Sequence, residues 1–324
     1  MGLGLRAAYL AQIAERPTFT HPLYDPQYND YWARGLVTGD WTVPAGVNDP
    51  EIRTTPHGRP PGYPWFLAGV YFVFGTHPLA PRLVQMALGL ANALLMFWLG
   101  RALFGRAVGL VAAFFMAIYW TFIYFEGVLT YPAVVIFLLL LLMHALRWWA
   151  LRPRVAGALI AGVLLGAFGL FRPNGLLFLV ALLAWMFWVL GRTHWRRWLA
   201  SGVAVVAGVC IVLAPPIIRN YVVARDFVFL SSYGGINLYV GNHPDASCVE
   251  PHIPELRELA GIDNWCCFDY PTIVHGLARK LDQPDLSFSE ANRYFYHKAV
   301  AYIRENPVDF FKRTGKKALL FWGP

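Results

Sequence analysis

Two acids stand early in the chain, in the run His21-Pro-Leu-Tyr-Asp25-Pro-Gln-Tyr-Asn-Asp30-Tyr-Trp-Ala. A carboxylate held at a membrane surface can act as a general base toward a hydroxyl or an amine, a role that contributes roughly 10²–10⁴-fold in rate when its pKa suits the reaction. Asp25 can equally cap a helix beginning near Tyr28, and on residue chemistry alone capping is the commoner use. Fixed cations are the second ingredient. Arg59 lies on the same loop, Arg172 and Arg219 stand where apolar runs give way to polar ones, and Lys316 and Lys317 follow near the end. A guanidinium suits bidentate phosphate recognition and stabilises negative charge that develops on a departing phosphate. The competing use is snorkelling to water or lipid headgroups. Glu126 falls between two apolar runs, where an acid is a functional candidate by default, an exposed turn residue being the alternative. Tyr63, Trp32, Trp41 and Trp65 offer flat faces for stacking or for anchoring at an interface.

The elements that must position these groups are membrane helices. The 324 residues are 57% hydrophobic and only 14% charged, far more apolar than a typical soluble domain. Crossing about 30 Å of hydrocarbon takes roughly 20 helical residues. Six runs qualify: Arg82 to Leu99, Ala107 to Phe125, Val128 to Leu146, Val155 to Phe171, Gly175 to Leu190 and Leu199 to Ile218. The aromatic stretch from Pro64 to Phe74 is shorter and reads as a helix dipping into the interface. Basic residues mark alternate short connections (Arg101 and Arg106; Arg147, Arg152 and Arg154; Arg192, Arg196 and Arg197), which places those connections in the cytoplasm. The loop from Glu15 to Pro81 and the segment after Arg219 then share the outer side. The net charge of +8 is spent on this topology, and no basic patch with interleaved aromatics points to nucleic acid.

From Arg219 to about Lys316 the composition turns soluble, and Ser289 to Ile303 reads as an amphipathic helix capped by Ser289. A small outer-face domain of mixed secondary structure is expected there. Residues 1–14 read as the end of a truncated first membrane segment and 317–324 as the start of a further helix, so the chain is expected to be a fragment. Cys248, Cys266 and Cys267 allow at most one disulfide among them, from Cys248 to one of the adjacent pair, and free thiols are an equal alternative.

The order of several motifs resembles the bacterial GT-C glycosyltransferases of the family 39 type, a group that includes protein mannosyltransferases and the aminoarabinose transferase of lipid A. They are the Asp25 loop with its Tyr28-Asn-Asp-Tyr-Trp-Ala33 helix, Gly39-Asp40-Trp41, Arg59-Pro-Pro-Gly-Tyr63-Pro-Trp-Phe-Leu-Ala68, Gly169-Leu-Phe-Arg172-Pro-Asn174, Ile218-Arg219-Asn220-Tyr221 and Gly234-Gly-Ile-Asn237-Leu-Tyr-Val-Gly241-Asn242. The resemblance covers nearly the whole chain. It implies an all-α polytopic membrane protein, a GT-C-type helix bundle with a small outer-face (periplasmic) domain in the bacterial inner membrane.

The activity it implies is transfer of a sugar, with inversion, from a polyprenyl-phosphate donor to an acceptor lipid, glycan or protein at the outer face. Asp25 then corresponds to the family's first-loop base. Many relatives carry two adjacent acids there. Here Pro26 follows, so Asp30 is ranked as a supporting residue. Arg59, Tyr63, Glu126, Arg172, Arg219, Asn237, Asn242 and Lys316 are the candidates for binding substrate or phosphate. In the stretch Gly241-Asn242-His243-Pro244-Asp245-Ala246, His243 and the later Cys248 stand where the family segment carries an Asn and a Gly. The resemblance implies no nucleotide cofactor; metal use differs among GT-C branches, and no Asp-x-Asp pair argues for one. A transporter or flippase for lipid-linked sugar is the competing reading; charges buried at mid-membrane would favour it, and the central parts of the spans show almost none. An inactive fragment is the third.

Overall fold

The computed structural model describes residues 1–191, 194–247 and 253–323, and these form helices with no strand. Arg192 and Cys248 lie outside the described residues. Two compact units emerge, one built from 1–42 and 60–215, the other from 43–59 and 216–324.

In the first unit α1 (Gly2–Ala14), α2 (Pro17–Thr20) and α3 (Asp25–Thr38) precede α4 (Gly62–Phe74). The spanning region then runs through α5 (Leu79–Phe104), α6 (Arg106–Ile118), α7 (Trp120–Gly127), α8 (Pro132–Leu151), α9 (Val155–Phe171), a 3₁₀ turn (Pro173–Leu177), α10 (Phe178–Leu190) and α11 (Trp195–Ala224). Four of the helices are long and apolar enough to cross a membrane, five if the bent α6–α7 pair counts as one, against the six expected. The second expected span is broken: α6 and α7 meet at 47° around Tyr119, whose extended backbone (φ −64°, ψ 115°) interrupts the helix. Helix α9 is short for a span at 17 residues, about 26 Å at 1.5 Å per residue. It compensates by packing closely on α11: Gly208 lies so near the Leu159 carbonyl that a β-carbon there would sit 2.6 Å from the oxygen, the kind of small-residue contact that replaces the hydrophobic effect between helices in lipid.

Polar groups inside this unit are paired. Arg6 on α1 donates to both carboxylate oxygens of Glu126 on α7, from Nε at 2.6 Å and from an Nη at 2.7 Å. Its other Nη reaches the carbonyls of Ala117 and Gly2 at 2.9 and 3.1 Å. Both side chains are almost wholly buried, at 1% and 2% exposure. The glycine at 89 on α5 makes room, because a side chain there would occupy the Glu126 carboxylate.

The turn between α7 and α8 is fastened from two sides. Its carbonyls accept from Arg82 (Gly127, 2.9 Å), Gln85 (Glu126 and Val128, 2.8 and 2.9 Å) and Asn29 (Leu129, 3.0 Å), and Asn92 takes the Ala133 carbonyl at 3.0 Å. Tyr63 on α4 in turn donates to Gln85 at 2.7 Å. Buried carbonyls without such donors are costly, most of all in lipid.

The second unit is helical, where a mixed domain was expected; its apolar residues recur at helical rather than alternating spacing. Helices α12 (Gly234–Gly241), α13 (Pro254–Ala260), α14 (Tyr270–Lys280) and α15 (Phe288–Glu305) enclose Ile236, Leu256, Ile273, Leu277 and Phe295. The cap of α15 is Ser287, two residues before the expected Ser289. Ser287 and Glu290 form a reciprocal capping box, while the Ser289 N–H donates to Asp226 at 2.7 Å. Beside it, burial alone would raise the Glu255 carboxyl, but Lys298 and the Tyr239 hydroxyl hydrogen-bond to it and hold it below its ordinary value. Helix α16 (Pro307–Trp322) is continuous through Lys316 and Lys317.

Residues 43–59 belong to this unit because Arg219 and Asn220, at the end of α11, hold them. The Arg219 guanidinium donates to the carbonyls of Thr55 (2.7 Å) and Ile52 and lies 3.3 Å from His57 Nδ1. Asn220 Oδ1 accepts from the His57 N–H at 3.0 Å, and Asn48 donates to Asp269 at 2.8 Å. Burial, and then the Arg219 charge, push His57 from 6.5 down to about 3.

Two tests follow from these contacts. Arg6→Met should destabilise the protein by about 3–5 kcal/mol, since it leaves a buried carboxylate unpaired; unfolding in detergent should show much of the loss recovered in Arg6→Met/Glu126→Leu. Folded His57 stays neutral where the unfolded histidine gains a proton, so its stability is complete above about pH 6.5 and falls as pH drops toward 3, by at most about 1.4 kcal/mol per pH unit. Melting temperatures across that range should flatten in His57→Gln.

Candidate functional site

Asp25 is the first residue of α3 rather than a cap for a helix starting at Tyr28: the N-cap position belongs to Tyr24, and no side chain caps the helix. Tyr24 is held at φ 56°, ψ −130°, a region that a bulky residue enters only when its surroundings fix it. The Asp25 carboxylate is exposed at the helix N-terminus, where the backbone dipole favours a negative charge. Its two neighbours, Tyr24 and Pro26, line a cavity of about 340 Å³ in the first unit. Arg82 and Arg16 supply cations to the lining, Phe19 and Tyr124 aromatic surface, and Gly127 to Leu129 the clamped turn.

Asp30 is differently placed. It accepts from Arg34 Nε at 2.7 Å and from the Tyr71 hydroxyl, which ties α3 to α4, and it is 16% exposed. Arg34 in turn reaches the Thr76 carbonyl at 2.9 Å. The carboxylate is occupied in holding two helices together.

Of the other residues singled out in the first unit, Tyr63 is buried with its hydroxyl on Gln85. Both Glu126 oxygens are engaged by Arg6, an arginine 120 positions away that no local pattern links to it. Arg172 is exposed and its guanidinium lies 4.4 Å from the centre of the Tyr131 ring, so it sits over the same α7–α8 turn whose carbonyls Asn29 and Arg82 hold. Trp32 is buried against Tyr28, and Trp41 packs edge-on to Tyr31 with ring centres 5.9 Å apart. These aromatics serve packing. The His144 ring approaches the Leu95 carbonyl at 3.0 Å.

In the second unit Arg219 is committed to the 52–57 segment, and Arg59 lies 5.7 Å over the Tyr233 ring. Asn237 is exposed on α12. Asn242 is buried, donating to the Leu238 carbonyl at 2.9 Å. The segment 241–247 is fastened by one face of α16: Lys317 to the Gly241 carbonyl at 2.7 Å, Arg313 to those of His243 and Ala246 at 2.8 Å each, and Lys316 to that of Ser247 at 3.2 Å. Asn242 and Lys316 thus meet on one structural feature. Cys266 is partly exposed and Cys267 buried; the disulfide considered for Cys248 falls outside the described residues.

In the first unit Asp25 and Arg172 both neighbour the α7–α8 turn, Asp25 through the cavity that its own neighbours share with Gly127 to Leu129 and Arg172 through Tyr131, and two further cations, Arg82 and Arg16, line that cavity. Arg82 was taken only as the start of an apolar run, and Arg16 only as loop. Their signal in the sequence is position: each sits at one end of an apolar segment, as Arg172 does. Among the described residues no cluster of three or more histidine, cysteine, aspartate or glutamate side chains could hold a metal ion.

Comparison with known proteins gives a family match. Residues 58–218 fit the family model described as dolichyl-phosphate-mannose-protein mannosyltransferase. The matched region begins after Asp25 and Asp30 and contains Arg59, Tyr63, Arg82, Glu126 and Arg172. No curated protein and no solved structure matches the chain. The match, laid over a helical architecture with four to five candidate spans, supports a multi-pass membrane glycosyltransferase of the GT-C superfamily, similar to the protein mannosyltransferases.

Proposed function

We propose that the protein transfers a sugar from a polyprenyl-phosphate donor to an acceptor at the outer face of a bacterial cytoplasmic membrane, with inversion at the anomeric carbon, and that Asp25 is the general base. The family match supports a glycosyltransferase with a lipid-linked donor. The observation that carries the finer reading is an exposed carboxylate at a helix N-terminus, flanked by two residues that line a cavity with two arginines.

The chemistry asks for those parts. As the acceptor oxygen or nitrogen bonds to the anomeric carbon, its proton goes to Asp25. The bond from that carbon to the phosphate oxygen breaks on the opposite face, and the electron pair leaves on the phosphate. A base on one side and a fixed positive charge on the other stabilise the charges that develop. The acceptor is a lipid, a glycan or a protein carrying a nucleophilic hydroxyl or amine. Burial of the Glu126 charge against Arg6 gives that acid a role in the scaffold.

With the full-length protein reconstituted and supplied with radiolabelled polyprenyl-phosphate sugars, Asp25→Asn should lose at least about a hundredfold in transfer while melting as wild type does. Asp30→Asn should lower the melting temperature instead, because it loosens Arg34 and Tyr71, and should cost less activity. Normal turnover by Asp25→Asn, together with wild-type movement of lipid-linked sugar between leaflets, would replace the transferase with a transporter.

A further inference from the structure

The Asn92 side chain on α5 is an exception to the pairing inside the first unit. It is 3% exposed. Its Nδ2 donates to the Ala133 carbonyl at 3.0 Å, which settles which end of the amide is the oxygen, and Oδ1 has no hydrogen-bond partner among the described residues. An unmet acceptor is costly when buried, and most of all in lipid. Asn92 borders a cavity of about 10 Å³ together with Gly89, Glu126 and the apolar side chains of Met116, Phe122 and Ile136. Met116 lies on α6 and Phe122 on α7, so this space adjoins the bend between those helices. The Glu126 carboxylate reaches it across Gly89, occupying the place that a side chain at 89 would take. Positions 89 and 92 are three residues apart on one helix face, where β-carbon positions lie about 5–6 Å from each other. The carboxylate and the Asn92 amide therefore stand one small group apart.

We infer that this cavity binds one water molecule, which donates one hydrogen to Asn92 Oδ1 and the other to a Glu126 oxygen. Both groups only accept, so neither can satisfy the other, and the ligand between them has to be a donor twice over. Arg6 takes one site on each carboxylate oxygen, and a carboxylate offers about four. The cavity of about 10 Å³ is about the smallest that holds a water, and two polar partners are enough to retain one. A metal cation fits poorly. Arg6 already neutralises the carboxylate, and hard cations take about six oxygens, whereas the rest of this lining is apolar. The bridge extends the Arg6–Glu126 pair to Asn92 and through it to the Ala133 carbonyl, so that α1, α7, α5 and α8 meet on one buried polar chain. This inference is independent of the transferase reading.

The test is a density map of the full-length protein in nanodiscs, at a resolution that shows ordered water, paired with melting in sodium chloride and in choline chloride at equal ionic strength. A single peak about 2.7–2.8 Å from both Asn92 Oδ1 and a Glu126 oxygen is expected, with the same melting temperature in the two salts. In Asn92→Leu, which removes the acceptor and fills the space, the peak should vanish while the Arg6–Glu126 pair remains. That variant also gives up the bond to Ala133 and can fail to fold, so the wild-type map decides the question without it. A cavity without density in that map overturns the site. A peak with shorter contacts to several oxygens, together with a higher melting temperature in sodium than in choline, makes the ligand a cation and overturns the assignment to water. Elongated density continuous with a lipid tail overturns it as well.

Discussion

The turn from Glu126 to Ala133 is the constraint on which the first unit depends. A chain that reverses direction near the edge of a hydrocarbon layer leaves carbonyls that neither helix can satisfy, and lipid supplies no donors. Side chains from α3 and α5 provide them: Asn29, Arg82, Gln85 and Asn92 each take at least one of these oxygens. The same bonds position the candidate site. Asn29 lies one turn along α3 from Asp25, so the helix that presents the carboxylate is pinned to the turn that lines the cavity. Tyr131, on that turn, underlies Arg172.

Charge is handled by two opposite strategies within one unit. Where a carboxylate is bound twice, as with Glu126 on Arg6 or Asp30 on Arg34 and Tyr71, it fixes helices and has little capacity left for a substrate. Asp25, by contrast, is exposed, and Arg82 is oriented by carbonyls and an aromatic ring rather than by a carboxylate. Residue type does not separate these cases; the surroundings that each side chain meets do.

That distinction explains what was legible beforehand. The spans, the amphipathic α15 and the division between apolar and soluble stretches follow from composition and period, which are local. The pairing of Asp30 with Arg34 is also local, at a spacing of four residues on a helix. Arg6 with Glu126 is not, and neither is the capture of residues 43–59 by Arg219 and Asn220, so both Glu126 and Arg219 read as available when they are committed. The break at Tyr119 carries no glycine or proline to announce it, and Ser287 outcompetes Ser289 as a cap because the glutamate three positions on completes the box. The break splits what read as one long span, and the length of α9 reduced another, so six expected crossings became four or five.

The Arg6–Glu126 pair has a consequence for how the polypeptide enters the bilayer. An apolar helix bearing an arginine is poorly accommodated in lipid on its own, and its counter-charge lies 120 residues downstream. During synthesis α1 therefore gains its neutralising partner only after α5, α6 and α7 have emerged. The ion pair closes only once those helices are present, which ties the seating of α1 to theirs.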